Sequence, residues 1–210
     1  MHTKQVDKKH YQFKDYLDKQ RWMSLWHQLD EILALAPRRV IEIGPGPGLL
    51  KAMASALGIV VETLDIDPEL NPDHLGSAIN LPFHDDTYDV ACAFQMLEHL
   101  PFEDSLKAFG EITRVARDKV IISLPDAKIL WRQTINIPGI GEQFFWIPRP
   151  RWALKKHRFD GQHFWEINKA GYELPQVIEA LETAGNAKLE KTYRVDQNPY
   201  HRFFVFTKNQ

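Results

Sequence analysis

The sequence predicts an α/β fold: a mostly parallel seven-stranded sheet with helices on both faces and an antiparallel C-terminal hairpin. Three observations predict it. A β-branched run at 39–43 enters a glycine-rich loop that opens a helix, and apolar runs then alternate with helical periods as far as residue 124. The last two strand-like runs are separated by only a few residues. Strands alternating with helices imply a parallel sheet covered on both sides, whereas a parallel crossover needs a dozen or more residues and so cannot join the last two.

The elements follow in order. Tyr16, Trp22, Met23, Trp26, Leu29, Ile32 and Leu33 recur mostly at three- and four-residue spacings, which predicts an amphipathic helix or a broken pair of helices over 11–35, ended by Pro37. Trp22 and Trp26 are expected as core anchors. Residues 39–43 (RVIEI) read as a buried parallel strand. After GPGPG comes a helix over 49–57 ended by Gly58, then a strand over 59–66, completing a βαβ unit. A short strand at 75–78, a strong one at 88–94, a helix at 103–115 and a strand at 119–124 extend the pattern.

Over 125–170 periodicity gives way to prolines, glycines, aromatics and basic residues, which reads as an insertion forming an aromatic lid packed on the sheet. A helix over 174–184 closed by Gly185 and two strands over 188–195 and 201–207, joined around DQNPY, complete the chain. The organisation expected is one domain over 1–210, with a helical cap at 1–37 and an insertion at 125–170.

Composition narrows the class. With 44% hydrophobic and 26% charged residues the 210-residue chain matches an ordinary globular protein rather than a disordered, fibrous or membrane-spanning one. No apolar run approaches the roughly 20 residues that cross a bilayer. The polar start lacks a secretory apolar stretch, so a cytoplasmic location is expected. A net charge of −2 gives no global attraction to nucleic acid or anionic membranes. Cys92 is the single cysteine, which excludes an internal disulfide and a multi-cysteine zinc site, and no metal site is expected. Inside DVACAF it reads as core filler.

Chemistry concentrates in VIEIGPGPGLL, residues 40–50. Glycine lets the backbone turn sharply and lets a ligand approach closely. The glycines are Gly44, Gly46 and Gly48, and Leu49 stands where a dinucleotide fingerprint would place its third glycine. A phosphate loop would need Gly-Lys-Ser/Thr, and Gly48 is followed by two leucines. Asp65 ends the next strand, 21 positions after Gly44, where nucleotide-binding folds place the carboxylate that accepts ribose hydroxyls. LDIDP also offers Asp67, which suits a helix cap or turn.

These residues resemble the class I, Rossmann-like S-adenosylmethionine-dependent methyltransferases, whose first motif is a strand carrying an acid followed by G-x-G-x-G. The resemblance implies S-adenosylmethionine as cofactor. It implies that Glu42 helps hold the cofactor's ammonium, that the loop from Gly44 through Pro45 and Gly46 to Gly48 wraps its methionine part, and that Asp65 rather than Asp67 takes the ribose. The block GSAINLPFHDDTYDVACAFQMLEHL, residues 76–100, is similar to a second family segment. It places Ser77 where relatives carry an acid facing adenine, and Ile66, Ala78 and Phe94 are implied cofactor neighbours. The three matching blocks span 40–124, under half the chain.

Methyl transfer is an in-line displacement at a carbon already activated by a sulfonium, so a general base is optional. His99 in MLEHL and the polar pair His163 and Glu166 in GQHFWEI are the candidate catalytic residues. Tyr200 and His201 also come within the reach expected of a site. A small-molecule acceptor is expected. The basic, aromatic stretch 144–165, with Arg149, Arg151, Lys155, Lys156 and Arg158 against Asp160, also suits nucleic acid or a membrane surface. RNA or protein methylation and a non-catalytic scaffold are the rival readings.

Overall fold

In the computed structural model, which describes residues 16–149 and 154–209, the sheet forms where the apolar runs place it. Its strands are β1 (Arg39–Ile43), β2 (Val60–Asp65), β3 (His74–Leu75), β4 (Tyr88–Phe94), β5 (Ala116–Pro125), β8 (Ala187–Val195) and β9 (Asn198–Lys208). Their spatial order is β3-β2-β1-β4-β5-β9-β8. The first five pair in parallel, while β9 runs antiparallel to both β5 and β8. The expected architecture is therefore the observed one. The DQNPY turn shrinks to Asp196 and Gln197, because β9 already starts at Asn198.

Alternation along each central strand divides the core into two layers. Val40, Val90, Cys92, Ile121, Phe203 and Val205 face one side, packed with Leu25, Leu29 and Ile32 of α1 (Lys19–Leu35) and Leu50 and Ala54 of α2 (Leu49–Ala56). Ile41, Ile43, Ala91, Ala93, Ile122, Phe204 and Phe206 face the other. There they meet Phe109 and Ile112 of α3 (Phe102–Val115) and Val177 and Leu181 of α4 (Leu174–Gly185). Cys92 is fully buried, with burial holding its thiol protonated, as core filler should be.

Several expectations need correction. Asp18 caps α1 by accepting the Arg21 N–H at 2.7 Å, and with Tyr16 helical and residues 17–18 not, the helical run is interrupted there, as in the broken-pair alternative; the stretch before Tyr16 lies outside the described residues. Trp22 and Trp26 are 47% and 49% exposed and do not anchor the core. Leu25, Leu29 and Ile32 hold the inward stripe, and the two indoles lie roughly 60–100° further round the axis. Gly185 is the last helical residue and not a cap. A Cβ there would come within 2.6 Å of Phe109, so glycine is required by contact, and Asn186 takes the left-handed position.

The insertion departs most from expectation. Residues 130–148 form a regular hairpin, β6 (Leu130–Ile137) with β7 (Gly141–Pro148), as a separate two-stranded sheet. Trp131, Ile135, Ile140, Phe145 and Ile147 are exposed on it, so this part is not a lid packed on the sheet. The stretch that does pack is 162–167, where Trp165 and Ile167 are wholly buried. Among the described residues no helix is long and apolar enough to cross a membrane.

One buried charge clamps both ends of the insertion. Asp126 accepts from Arg194 and Arg202, the latter at 2.8 Å, and from the Asn168 amide at 2.7 Å. Backbone bonds from Asp126 to Tyr200, from Ala127 to Ile167 and from Ile167 to Pro125 join the same point. Burial raises the Asp126 pKa, but Arg194 and its other partners outweigh this and hold it below the ordinary range. Removing one member of a buried charge cluster leaves the others unpaired. Asp126→Ala is therefore expected to cost about 3–5 kcal/mol of unfolding free energy in urea titration. A loss under about 1 kcal/mol, the scale of a surface pair, would show that water compensates both guanidiniums.

Candidate functional site

The site lies at the carboxyl edge of the parallel strands, where open α/β sheets bind ligands. The Gly44 N–H donates to the Leu64 carbonyl at 2.9 Å, finishing the β1–β2 ladder, and the chain then turns at φ +71°. A Cβ on Gly44 would sit 2.5 Å from Met96 Cγ, so glycine is needed both for the angle and for the approach of the loop after β4. Gly48 opens α2 at φ +70° with open space where its Cβ would be, so its requirement is conformational alone.

Two acids flank this bend. Glu42 is buried, and its Oε2 has no hydrogen-bond partner among the described residues. Desolvation, then the nearby charge of Asp65, pushes it up to about 8. An orphaned acceptor inside a protein is costly and calls for a donor from elsewhere. Asp65 ends β2 and accepts the Asp67 N–H at 2.9 Å. Burial raises its pKa, with backbone N–H groups offsetting part of the rise. Asp67 accepts the Glu69 N–H at 3.0 Å and caps the turn Pro68–Leu70, the role expected of it.

A cavity of about 540 Å³ opens between these loops. Gly44, Gly46, Asp65, Ile66, Ser77, Ala78 and Phe94 line it, which brings together most of the residues expected to hold a cofactor. Glu42 and Pro45 instead line a small adjoining cavity of about 50 Å³ that shares Gly44 and Phe94 with the large one. Gly48 lines neither and serves the turn.

The opposite wall is built by the insertion. Trp165 buries its ring against Phe102, 5.0 Å between centroids, and its indole N–H donates to Ser105 Oγ at 2.9 Å. With that anchor set, the Phe164 N–H donates to the Glu98 carbonyl at 2.9 Å, and His99 Nδ1 lies 3.1 Å from the Gln162 carbonyl. His99 and His163 meet edge to face at 5.1 Å, and both line the large cavity.

Glu166 lies behind His163 and outside the cavity lining. Its Oε1 accepts the Tyr200 hydroxyl at 2.6 Å and lies 3.2 Å from His163 Nδ1. Burial disfavours the Glu166 carboxylate, but His163, Tyr200 and Lys169 hold it down at about 2. Burial alone would lower His163, and Glu166 and its neighbours reverse this to raise it. Tyr200 and His201 also reach the cavity, and burial keeps the His201 imidazole neutral with a pKa near 3.

Sequence reasoning missed Tyr16, Arg21, Gln95 and Met96 as lining residues. Tyr16 and Arg21 arrive from an element far from every motif and carried no signal. Gln95 adopts φ +51° directly after β4, and only the strand-end position hinted at it.

A family described as a methyltransferase domain matches residues 12–173, well over half of the chain. The chain belongs to this methyltransferase family. No curated protein matches its sequence. Among solved structures, one from Pyrococcus horikoshii is 16% identical and covers 97% of this chain and 100% of its own, with a TM-score of 0.61. The 1,6-didemethyltoxoflavin-N1-methyltransferase of Burkholderia thailandensis, solved with that compound and S-adenosylhomocysteine, is 15% identical over 94% of this chain and 84% of its own, TM-score 0.61. Magnesium protoporphyrin IX methyltransferase from Synechocystis, with S-adenosylhomocysteine, is 14% identical over 90% and 84%, TM-score 0.58. At such identities the likeness establishes the shared fold.

Glu42 has a consequence in solution for this methyltransferase. A carboxyl whose folded pKa lies above its unfolded value favours the folded state at low pH, and that contribution is lost as pH rises to the folded pKa. The ligand-free protein is expected to lose stability between about 4.5 and about 8. Glu42→Gln should flatten part of that decline in denaturant midpoints taken across the window. Equal slopes for both proteins would show that Glu42 ionises as freely in the folded chain as in the unfolded one.

Proposed function

We propose that this methyltransferase takes its methyl group from S-adenosylmethionine and delivers it to a small-molecule acceptor held under the 162–167 segment. One observation carries the reading. Two carboxylates at the ends of neighbouring strands, one of them orphaned, flank a glycine bend that opens into a ligand-sized cavity. The orphaned Glu42 matches the ammonium of an amino acid, and Asp65 matches a pair of ribose hydroxyls. Gly44 and Gly46 give backbone access to the methionine chain between them, while Ser77 and Ala78 face the adenine side. Neighbours of the same fold, solved with S-adenosylhomocysteine, add support.

The bound cofactor supplies a methyl group made electrophilic by its sulfonium. This chain's part is to align and to exclude water. Phe159 and Phe164 close the acceptor side, held from behind by the buried Trp165, and His99 and His163 form its polar wall. Glu166 and Tyr200 are positioning residues that fix the His163 ring. Since a carboxylate only accepts, Nδ1 of His163 carries the proton and Nε2 the lone pair. A cytoplasmic location belongs to the same proposal.

Calorimetry with S-adenosylhomocysteine tests the reading. Asp65→Ala is expected to weaken binding roughly 10- to 100-fold, the loss of charge-assisted hydrogen bonds. His163→Ala and Glu166→Ala should leave that affinity within about twofold and lower turnover of an identified acceptor. No binding of S-adenosylmethionine or S-adenosylhomocysteine by the unaltered chain would overturn the proposal in favour of a scaffold.

A second reading, an acceptor carried on RNA or protein, is favoured by the exposed β6–β7 hairpin and by Arg149, Lys155, Lys156 and Arg158, all exposed beside it in sequence. Acceptor binding that weakens steeply with added salt would mark a phosphate-bearing partner, while a flat response would return the reading to a small molecule.

A further inference from the structure

Glu98 is the most deeply buried acid in the cavity wall, 0% exposed, and neither of its carboxylate oxygens meets a hydrogen-bond partner among the described residues. A carboxylate removed from water without a partner is strongly disfavoured, so such a group persists where something positive meets it. Arg21 lines the same cavity but does not hydrogen-bond to Glu98, and its guanidinium lies 4.1 Å over the Tyr16 ring. The 3₁₀ turn Leu97–His99 instead sets His99 beside Glu98, and the insertion adds His163 from 65 positions along the chain.

One donor atom from each of Glu98, His99 and His163 lies within 4.8 Å of the others. Bonds of about 2.0–2.2 Å to a tetrahedral ion put its ligands about 3.3–3.6 Å from one another, so side-chain rotations that close each gap by at most about 1.5 Å bring all three onto one centre. The imidazoles are oriented as ligands usually are. His163 Nδ1 faces Glu166 at 3.2 Å and His99 Nδ1 faces a backbone carbonyl at 3.1 Å. Both partners accept only, which puts the proton on Nδ1 and the lone pair on Nε2, and a carboxylate behind a ligating histidine raises its basicity. The Tyr200 hydroxyl, bonded to the same Glu166 oxygen at 2.6 Å, fixes that support.

We propose that Glu98, His99 and His163 form a binding site for one first-row divalent cation, open on its remaining side to the acceptor half of the cavity. Two imidazoles and one carboxylate suit zinc, cobalt, manganese or iron(II) better than magnesium or calcium, which prefer oxygen alone. Three protein ligands leave a coordination position vacant, the arrangement of a catalytic rather than a structural ion. This reverses the sequence expectation of no metal, which considered cysteine-based sites and could not see residues 98 and 163 meet. If the acceptor reading above holds, that vacant position selects acceptors with an oxygen donor beside the methylated atom. Ion binding itself does not depend on that reading.

The test uses the full chain stripped with chelator and titrated with Co²⁺, followed by visible absorption. The expected result is a d–d band that saturates at one ion per chain and is displaced by Zn²⁺. Glu98→Gln, and independently His99→Ala, should weaken binding at least about 10-fold, with thermal unfolding showing that each variant is folded. Asp160→Asn separates this site from the neighbouring Asp160, His163 and Glu166 group, and should retain full Co²⁺ binding. Absence of a saturable band, binding that survives both Glu98→Gln and His99→Ala, or loss confined to Asp160→Asn would each overturn the proposal. Co²⁺ binding without S-adenosylhomocysteine binding would sink the methyltransferase reading and leave the metal site standing, and the reverse outcome would do the opposite.

Discussion

The Asp126 carboxylate holds together segments that local structure alone would leave apart. It sits where β5 ends and the insertion begins, and it is shared by guanidiniums from β8 and β9 and by the Asn168 amide, where the insertion returns to the sheet. Because the charge is buried, its partners cannot be replaced by water without a large penalty, and so their geometry is narrowly set. From that point the chain has one short path back, through Ile167 to Trp165, and Trp165 is locked by Ser105 and Phe102. The positions of His163 and Glu166 follow from those two anchors.

The opposite side of the cavity is organised by a different constraint. Parallel strands end in register, so their following loops crowd one edge, and Gly44 is the residue that allows the loop after β4 to touch the loop after β1. Crowding there concentrates carboxyls. Glu42, Asp65 and Glu98 are each raised by burial, Glu98 to about 7. Such an arrangement lowers the stability of the empty chain, which is the usual accompaniment of a site built to receive positive or hydrogen-bond-donating groups. The Tyr200, Glu166 and His163 group shows the contrary pattern, a carboxylate already satisfied and held ionised, as suits a support rather than a contact.

Legibility in the sequence followed burial. β1 and β4 emerged with the bounds read from residues 39–43 and 88–94, since both are apolar, short and closed by turn residues. The β6–β7 hairpin did not, although it is regular. Gln133 interrupts the alternation of β6, and Phe144 to Ile147 run apolar without a break in β7, so no two-residue period shows in the sequence although Trp131, Ile135, Phe145 and Ile147 share one exposed face. Trp22 and Trp26 misled for a related reason: size and apolarity suggested burial, while the helix turned them away from the stripe that packs.

Glycine spacing, the acid within β1, the aspartate ending β2 and the alternation of strand and helix were determined by the sequence alone, because each is a local relation written within a few tens of residues. The side of the cavity around the glycine bend rests on those relations. Only the tertiary structure decided that Glu98 and His99 meet His163, that Tyr200 supports Glu166, and that Arg21 enters the same cavity. Those pairs are brought together by packing between distant segments. Their proximity is a property of the anchors Trp165 and Asp126, not of any spacing that a single segment can carry.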